Sequence, residues 1–240
     1  MNTSEVNPMT AHLYWDEVWR TDSGRADWSR PHPWVVDEAA RLQELGAKDV
    51  LDLGCGVGRH ALYFAEAGFA TSGTDASEAA VRAAREEGDR RGAELALDVG
   101  DFTELPYADD SFDYVLAFNV VYHNDEAGLA KVLDEVRRVL RPGGIYQSTM
   151  LSKRNGEYGR GNEVSPNTFC QPEATDDKVH PHMYVDAADL LRLHEGFRLL
   201  SATDAEHARP GSFHWHCVFE LPGQDVAGTR HGHYAQRAGA

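Results

Sequence analysis

The sequence predicts an α/β fold built on a mostly parallel, seven-stranded sheet with helices on both faces. Three observations carry this. Strand-like apolar runs alternate with helical periodicity from about residue 50 to residue 150, the pattern of strands joined by helical crossovers. The first run, Val50-Leu51-Asp52-Leu53, opens into Gly54-Cys55-Gly56-Val57-Gly58 and then into a helical pattern. That succession is a strand, a tight loop and a helix N-terminus. Beyond Met150 the alternation gives way to one more helix and two final strands.

Composition bounds the function. A chain of 240 residues suits one domain with a full core, and 42% hydrophobic with 26% charged residues is ordinary for a globular protein. No apolar run nears the roughly 20 residues of a membrane span. The start, Met1-Asn2-Thr3-Ser4-Glu5, lacks the basic and apolar regions of a signal peptide. Three widely spaced cysteines make no disulfide framework, so a cytoplasmic location is expected. The net charge of −16, from 23 basic and 39 acidic residues, disfavours nucleic acid, because phosphate binding needs clustered Lys and Arg. Arg82, Arg85, Arg137 and Arg138 fall in helical patterns and read as solvated faces. The expected partner is a small molecule, with no nucleic acid and no membrane; nothing here sets the oligomeric state.

Taken in order, residues 1–12 are polar, carry no period and are expected to be mobile. One domain spans 13–222, opening with an aromatic segment, 13–34, that holds Tyr14, Trp15, Trp19, Trp28 and Trp34. Trp15 and Trp19 are four apart and share a face of a short helix. Residues 35–45 read as an amphipathic helix stopped by Gly46, and 60–67 as a second helix ended by Gly68. The second strand closes on Asp75, at the carboxyl edge where open α/β sheets bind ligands. Ser77 caps a helix running to about residue 91. Residues 94–99 form a third strand and 114–118 a buried fourth. Leu129, Val132, Leu133, Val136, Val139 and Leu140 recur at helical spacing until Arg141-Pro142-Gly143-Gly144 stops them. Residues 144–150 are strand five. No period appears across 151–182, and an irregular stretch this long in a compact domain is a functional lid or a disordered insertion, assigned here to 151–184. Asp186 and Asp189 give a capping-box-like start to a helix through about residue 194. Residues 197–203 and 213–220 are the last strands, and 223–240 is expected to be a disordered tail.

The glycine loop limits the ligand. Glycines accept positive φ and let a ligand lie on the backbone, while the helix start offers unpaired N–H groups to an anion. A dinucleotide site would need a glycine where Arg59 stands, and a phosphate loop would end in Gly-Lys-Ser/Thr, which is absent. What stands, D-x-G-x-G-x-G from Asp52 to Gly58 with Asp75 after the next strand, resembles the first two motifs of class I S-adenosylmethionine (SAM)-dependent methyltransferases, of the type 11/25 kind. The L-R-P-G-G turn at 140–144 agrees, and the resemblance covers roughly residues 48–150. It implies a Rossmann-like sheet with an antiparallel last strand, SAM as cofactor and S-adenosylhomocysteine as product. By the same resemblance Asp52, Gly54, Cys55, Gly56 and Gly58 hold the methionine end, and Asp75 with Ala76 the ribose. Asp101 and Phe102 hold the adenine, Asn119 meets the methionine amine and Trp19 covers the cofactor. The aromatic segment resembles the N-terminal lid of thiopurine-methyltransferase-like and tellurite-resistance-type enzymes.

Methyl transfer from a sulfonium is an in-line displacement, so the protein chiefly aligns a nucleophile and excludes water. A base is needed only where the acceptor is an alcohol or amine. His123, just after strand four, is the candidate base. The substrate chamber is expected between Tyr14 and Trp15, Tyr122 and His123, and His180, His182, Tyr184 and His214. The pairs His180/His182 and His214/His216 invite a metal. Their spacing matches no standard site and no carboxylate is associated, so no metal is assigned. The alternatives are a SAM-binding regulatory or degenerate member, and an RNA or protein methyltransferase. The intact loop and acids oppose the first; the acidic balance and the lack of an Asn/Asp-Pro-Pro-Tyr motif oppose the second.

Overall fold

Ten strands join into one sheet in a computed structural model that describes residues 10–207 and 209–223. Seven of them form its body, in the order β3-β2-β1-β4-β5-β10-β9. These are β1 (Asp49–Leu53), β2 (Ala70–Asp75), β3 (Leu95–Val99), β4 (Phe112–Ala117), β5 (Leu140–Ser152), β9 (Arg198–Glu206) and β10 (Phe213–Glu220). The first five pair in parallel, and β10 runs antiparallel to both β5 and β9. The strand order reverses between β1 and β4, and the crevice beyond their carboxyl ends is where such sheets take ligands.

The two sheet faces are covered by different helices because β4 alternates its side chains. Tyr114, Leu116 and Phe118 pack with Val35, Ala39 and Leu42 of α3 (Pro33–Leu45) and Phe64 of α4 (Arg59–Glu66). Val115 and Ala117 face Leu129, Val132, Leu133 and Val136 of α6 (Glu126–Val139) on the other side. Helix starts are fixed by side chains: Ser77 accepts from Ala80 N at α5 (Glu78–Arg91), and Asp125 from Gly128 N at α6. The expected capping box of Asp186 and Asp189 forms at α7 (Ala187–Leu193).

Three expectations shift. Helix α1 (Ala11–Trp19) takes in Ala11 and His12, which the sequence leaves mobile; α2 (Asp22–Arg25) follows it. Residues 1–9 of that N-terminal stretch and the 224–240 part of the expected tail lie outside the described residues. Strand β5 begins at Leu140, before the Pro-Gly-Gly turn, because Arg141 reaches Asp49 on β1 and Asp113 on β4 at 2.8 and 2.7 Å and holds the turn against the sheet. The irregular insertion contains β6 (Asn162–Ser165), β7 (Thr168–Cys170) and β8 (His182–Val185). Strands of three or four residues are too short to register as a period. β8 runs parallel to the end of β5 through Leu151 and Ser152, and carries the insertion over the carboxyl edge.

Candidate functional site

The glycine loop leaves β1 with three left-handed residues, Gly54, Gly56 and Gly58. At Gly54 a Cβ would lie 2.3 Å from Val120 Cγ2, so glycine is required by space as well as by its φ of +70°. At Gly56 the nearest neighbour is Trp19, 3.6 Å from where a Cβ would be, which places the α1 indole directly over the loop. Asp75 ties the loop to its own strand end: Oδ2 accepts from Gly56 N and Oδ1 from Ser77 N, each at 2.9 Å. Burial raises the Asp75 pKa, and those two amides oppose the rise.

Two cavities meet at Asp75. One, of about 370 Å³, is lined by His12, Gly54, Asp75, Ala76, Asp101, Phe102, Asn119 and His123, among others. Within it Asp101 turns one oxygen to Thr103, accepting from its N and Oγ1 at 2.7 Å. The second, of about 80 Å³, runs under Trp15, Trp19 and Trp28 along Gly54, Cys55 and Gly56 to Arg59. Trp15 and Trp19 stack at 5.1 Å, and Trp28 meets both edge-on. Asn119 borders both cavities with φ of +62°, its conformation held by Thr149 Oγ1, which accepts from Asn119 N and donates to Asn119 Oδ1.

Arg59 is a site residue the sequence reading missed. Its guanidinium lies over Trp28, 4.7 Å from the ring centroid, and makes no hydrogen bond or ion pair among the described residues. Burial lowers its pKa, with Asp52 opposing. Its position at the head of α4, where the dinucleotide pattern would demand glycine, was the available signal. Asp52, by contrast, lines neither cavity: it is buried beneath the loop, accepts from Ala61 N at 3.0 Å, and has its pKa pushed up to about 7 by burial. Gly58 likewise serves as the N-cap of α4.

A third cavity, of about 630 Å³, opens between β8, the insertion and the β9–β10 turn, and is lined by Tyr122, Asp177, Lys178, His182, Arg209 and His214 among others. A fourth, of about 470 Å³, continues past His214 to His32, Phe118, Asn119 and His207. The expected substrate residues divide here. Tyr122, His182 and His214 line the third cavity, and His123 borders the first. Tyr14 lies near Asp177, whose charge, after burial, raises the phenol's pKa. His180 bonds Thr10 Oγ1 at 2.8 Å. Tyr184 is buried against Tyr158 and Phe169 and lines none of these cavities. Sequence reasoning did not single out Asp177, His32 or His207, which long-range folding brings in.

Burial holds several of the histidines below the ordinary imidazole pKa. His214 and His216 are held at a pKa of about 4, His32 at about 4 and His207 at about 2, desolvation being the first cause in each. Their rings gather: His207 lies 4.2 Å from His214 and 4.8 Å from His216, and Trp34 stacks on His216 at 4.5 Å. His123 is pushed to about 3 by burial and then by His182, while Asp177, 4.0 Å away, works against that shift.

Comparison with known proteins agrees with this geometry. Residues 50–144 match the model of a family described as a methyltransferase domain. A methyltransferase of Streptomyces halstedii, GfsG, is 38% identical over 107 residues, 43% of this chain and 38% of its own. A probable SAM-dependent methyltransferase of Mycolicibacterium smegmatis is 32% identical over 150 residues, 61% of this chain and 55% of its own. The chain thus spans about half the length or less of these two relatives. Among solved structures, Burkholderia thailandensis 1,6-didemethyltoxoflavin-N1-methyltransferase, with its namesake ligand and S-adenosylhomocysteine bound, superposes with a TM-score of 0.69 at 18% identity, covering 92% of each chain. At that identity the likeness is one of fold. Motifs, sheet order and family match agree: residues 50–144 carry a methyltransferase domain, and together they support the class I S-adenosylmethionine-dependent kind.

Proposed function

We propose that the chain transfers the methyl group of SAM to a small-molecule acceptor held in the cavities beyond β4 and β8. The observation that carries this is the polarity of the cofactor crevice. One end offers carboxylates and an aromatic ring, Asp75, Asp101 and Phe102; the other offers an unpaired guanidinium, Arg59, beside a glycine backbone. SAM has the matching ends, with donor hydroxyls and an adenine amine opposite an α-carboxylate. The 370 Å³ of the wider cavity falls within the usual range for ligand sites.

In this reading Arg59 and the loop amides hold the methionine carboxylate, Asp75 the ribose and Asp101 with Phe102 the adenine. SAM supplies an electrophilic methyl on sulfur. The chain's own residues orient and enclose: Trp15 and Trp19 form a roof over the loop, and the insertion with His182 and Tyr122 closes the acceptor side. His180 and Tyr184 support that side, His180 through Thr10 and Tyr184 from within β8. As a base, His123 depends on Asp177, whose carboxylate would stabilise the imidazolium that its burial opposes. The acceptor walls join Tyr122, His182 and His214 with Asp177, Lys178 and Arg209, a mixed polar lining that suits a small polar molecule. No helix among the described residues is long and apolar enough to cross a membrane, and a cytoplasmic site of action is part of the same reading.

The test is calorimetric titration with SAM and S-adenosylhomocysteine, followed by detection of S-adenosylhomocysteine formed in the presence of small alcohols, phenols, amines and thiols. Cofactor binding with turnover of at least one acceptor is expected. Binding with no product from any class would favour the regulatory reading; no binding would overturn both.

A further inference from the structure

The wall between the cofactor crevice and the 630 Å³ cavity holds a cluster whose converging donor atoms the proposed base role of His123 does not use. His123 follows β4, Asp177 lies in the insertion and His182 opens β8, so 59 positions of sequence separate its ends. One donor atom from each lies within 4.8 Å of the other two. His182 Nε2 is 3.3 Å from Asp177 Oδ2, and His123 Nε2 is 4.0 Å from the same oxygen. All three side chains are largely enclosed, His182 at 2% exposure.

The geometry points to a divalent transition-metal site, with His123 Nε2, His182 Nε2 and Asp177 Oδ2 as its protein ligands. Donor atoms bound at roughly 2.0–2.2 Å in a tetrahedral site lie about 3.3–3.5 Å apart. The His182–Asp177 separation already meets this, and a small rotation of His123 closes the other. His182 is prepared for the role: its Nδ1 faces the His180 carbonyl at 2.9 Å, and donation there leaves the Nε2 lone pair free. His123 carries a buried Nδ1 with no partner, so nothing else in the fold fixes its tautomer. Two imidazoles and one carboxylate with the remaining positions open is the donor set of catalytic zinc and non-haem iron sites. The open positions face the large cavity, because Asp177 and His182 line it. They would take water or an oxygen of a small ligand, a hydroxyl, phenol or carboxylate.

Lys178 is the opposing charge. Its Nζ lies 3.1 Å from Asp177 Oδ1, the carboxylate oxygen not used for the metal. It weakens cation binding at the site without blocking it. That gives the proposal a signature an Asp–His hydrogen-bond network would not share. The proposed acceptor chamber supplies the use of the metal, but its binding stands apart from methyl transfer and is tested without it.

The experiment titrates chelator-treated full-length protein with Co²⁺ by visible absorption, and with Zn²⁺ by calorimetry and thermal melting. One saturable equivalent, a low-symmetry cobalt spectrum and a Zn²⁺-dependent rise in Tm are expected. Asp177→Asn and His182→Gln should each weaken binding by at least about 100-fold, more than the effect of losing an outer-shell partner. Lys178→Gln should tighten it, and His216→Ala should leave it unchanged; far-ultraviolet dichroism confirms that each variant folds. No saturable binding to the parent protein overturns the assignment. So does binding that survives both Asp177→Asn and His182→Gln, which would belong to other histidines.

Discussion

Asp75→Asn should weaken SAM binding roughly ten- to a hundredfold while leaving the fold in place. The carboxylate already accepts from Gly56 N and Ser77 N, one bond per oxygen, and each oxygen keeps a further acceptor position beside the 370 Å³ cavity. Ribose hydroxyls donating there would make bonds to a charged group, worth about 1.5–3 kcal/mol. At about 1.4 kcal/mol per decade that is the stated loss. Asparagine keeps one acceptor and turns an amide donor toward one of the two backbone N–H groups, so a cost of about 1–3 kcal/mol in stability accompanies it. Alanine would orphan both amides, which is why asparagine is the cleaner probe. Titration calorimetry gives the affinity, and a melt at saturating SAM separates it from stability. The parent should also lose affinity as pH falls through the raised Asp75 pKa, since protonation removes an acceptor, whereas the variant should be flat there. An asparagine variant that binds with the parent's affinity refutes the placement of the ribose.

Three further outcomes follow from the same geometry. Arg59→Met should weaken SAM by about tenfold or more, as loss of a charge-assisted pair does, yet leave methylthioadenosine, which lacks the carboxylate, unaffected; equal losses for both by calorimetry would remove Arg59 from the methionine end. Stability should fall in mild acid: His194, His214 and His216 are each held at about 4, below the ordinary value, so their contribution is full above the unfolded pKa of about 6.5 and is lost as pH falls toward 4, at about 1.4 kcal/mol per pH unit each. Asp52, raised to about 7, acts with the opposite sign over that window and offsets about one such histidine, so the net still falls with pH; denaturant midpoints unchanged between pH 6.5 and 4.5 would contradict it. Under saturating SAM, Trp19→Ala and His123→Ala should both depress turnover, with His123→Ala changing the pH profile if the imidazole takes the proton; parental rates in both would move the chamber elsewhere.

The cofactor side was legible in sequence because its parts are local. Glycines at 54, 56 and 58 and an acid at the end of each of two strands lie within one strand–loop–helix unit and its neighbour, so spacing alone sets where they meet. Asp52 shows the limit: motif position puts it at the loop, and only the Ala61 amide shows that it supports the loop from below. The acceptor side was half legible. Histidine pairs at 180/182 and 214/216 could be read as strand or lid residues. Which imidazoles face one another depends on β8 docking beside the end of β5, a contact between short strands with no period of their own. Asp177 lay in an acidic patch indistinguishable from solvated loop until the fold enclosed it. Tyr184 illustrates the opposite error: it shares a β8 face with His182, yet two residues farther along the strand Tyr158 and Phe169 bury it away from the cavity.

Helix α1 does more than roof the glycine loop. Asp16 Oδ1 accepts from Ser77 Oγ at 2.7 Å and from Ala79 N at 3.1 Å, so a carboxylate of α1 seals the start of α5. Trp19 is meanwhile seated with Ala79 and Ala80. The same few contacts that finish α5 therefore fasten the cover of the crevice. Trp19 stands at contact distance over Gly56, so a molecule entering along the loop moves this clasp, and moving it strips α5 of a cap. Exchange of spent for fresh cofactor becomes a matter of timing set by the protein, with a residence time tied to undocking of α1 and not only to the strength of the ligand's own bonds. Tight contacts and slow departure are then separable properties, carried by different residues of one short helix and one loop.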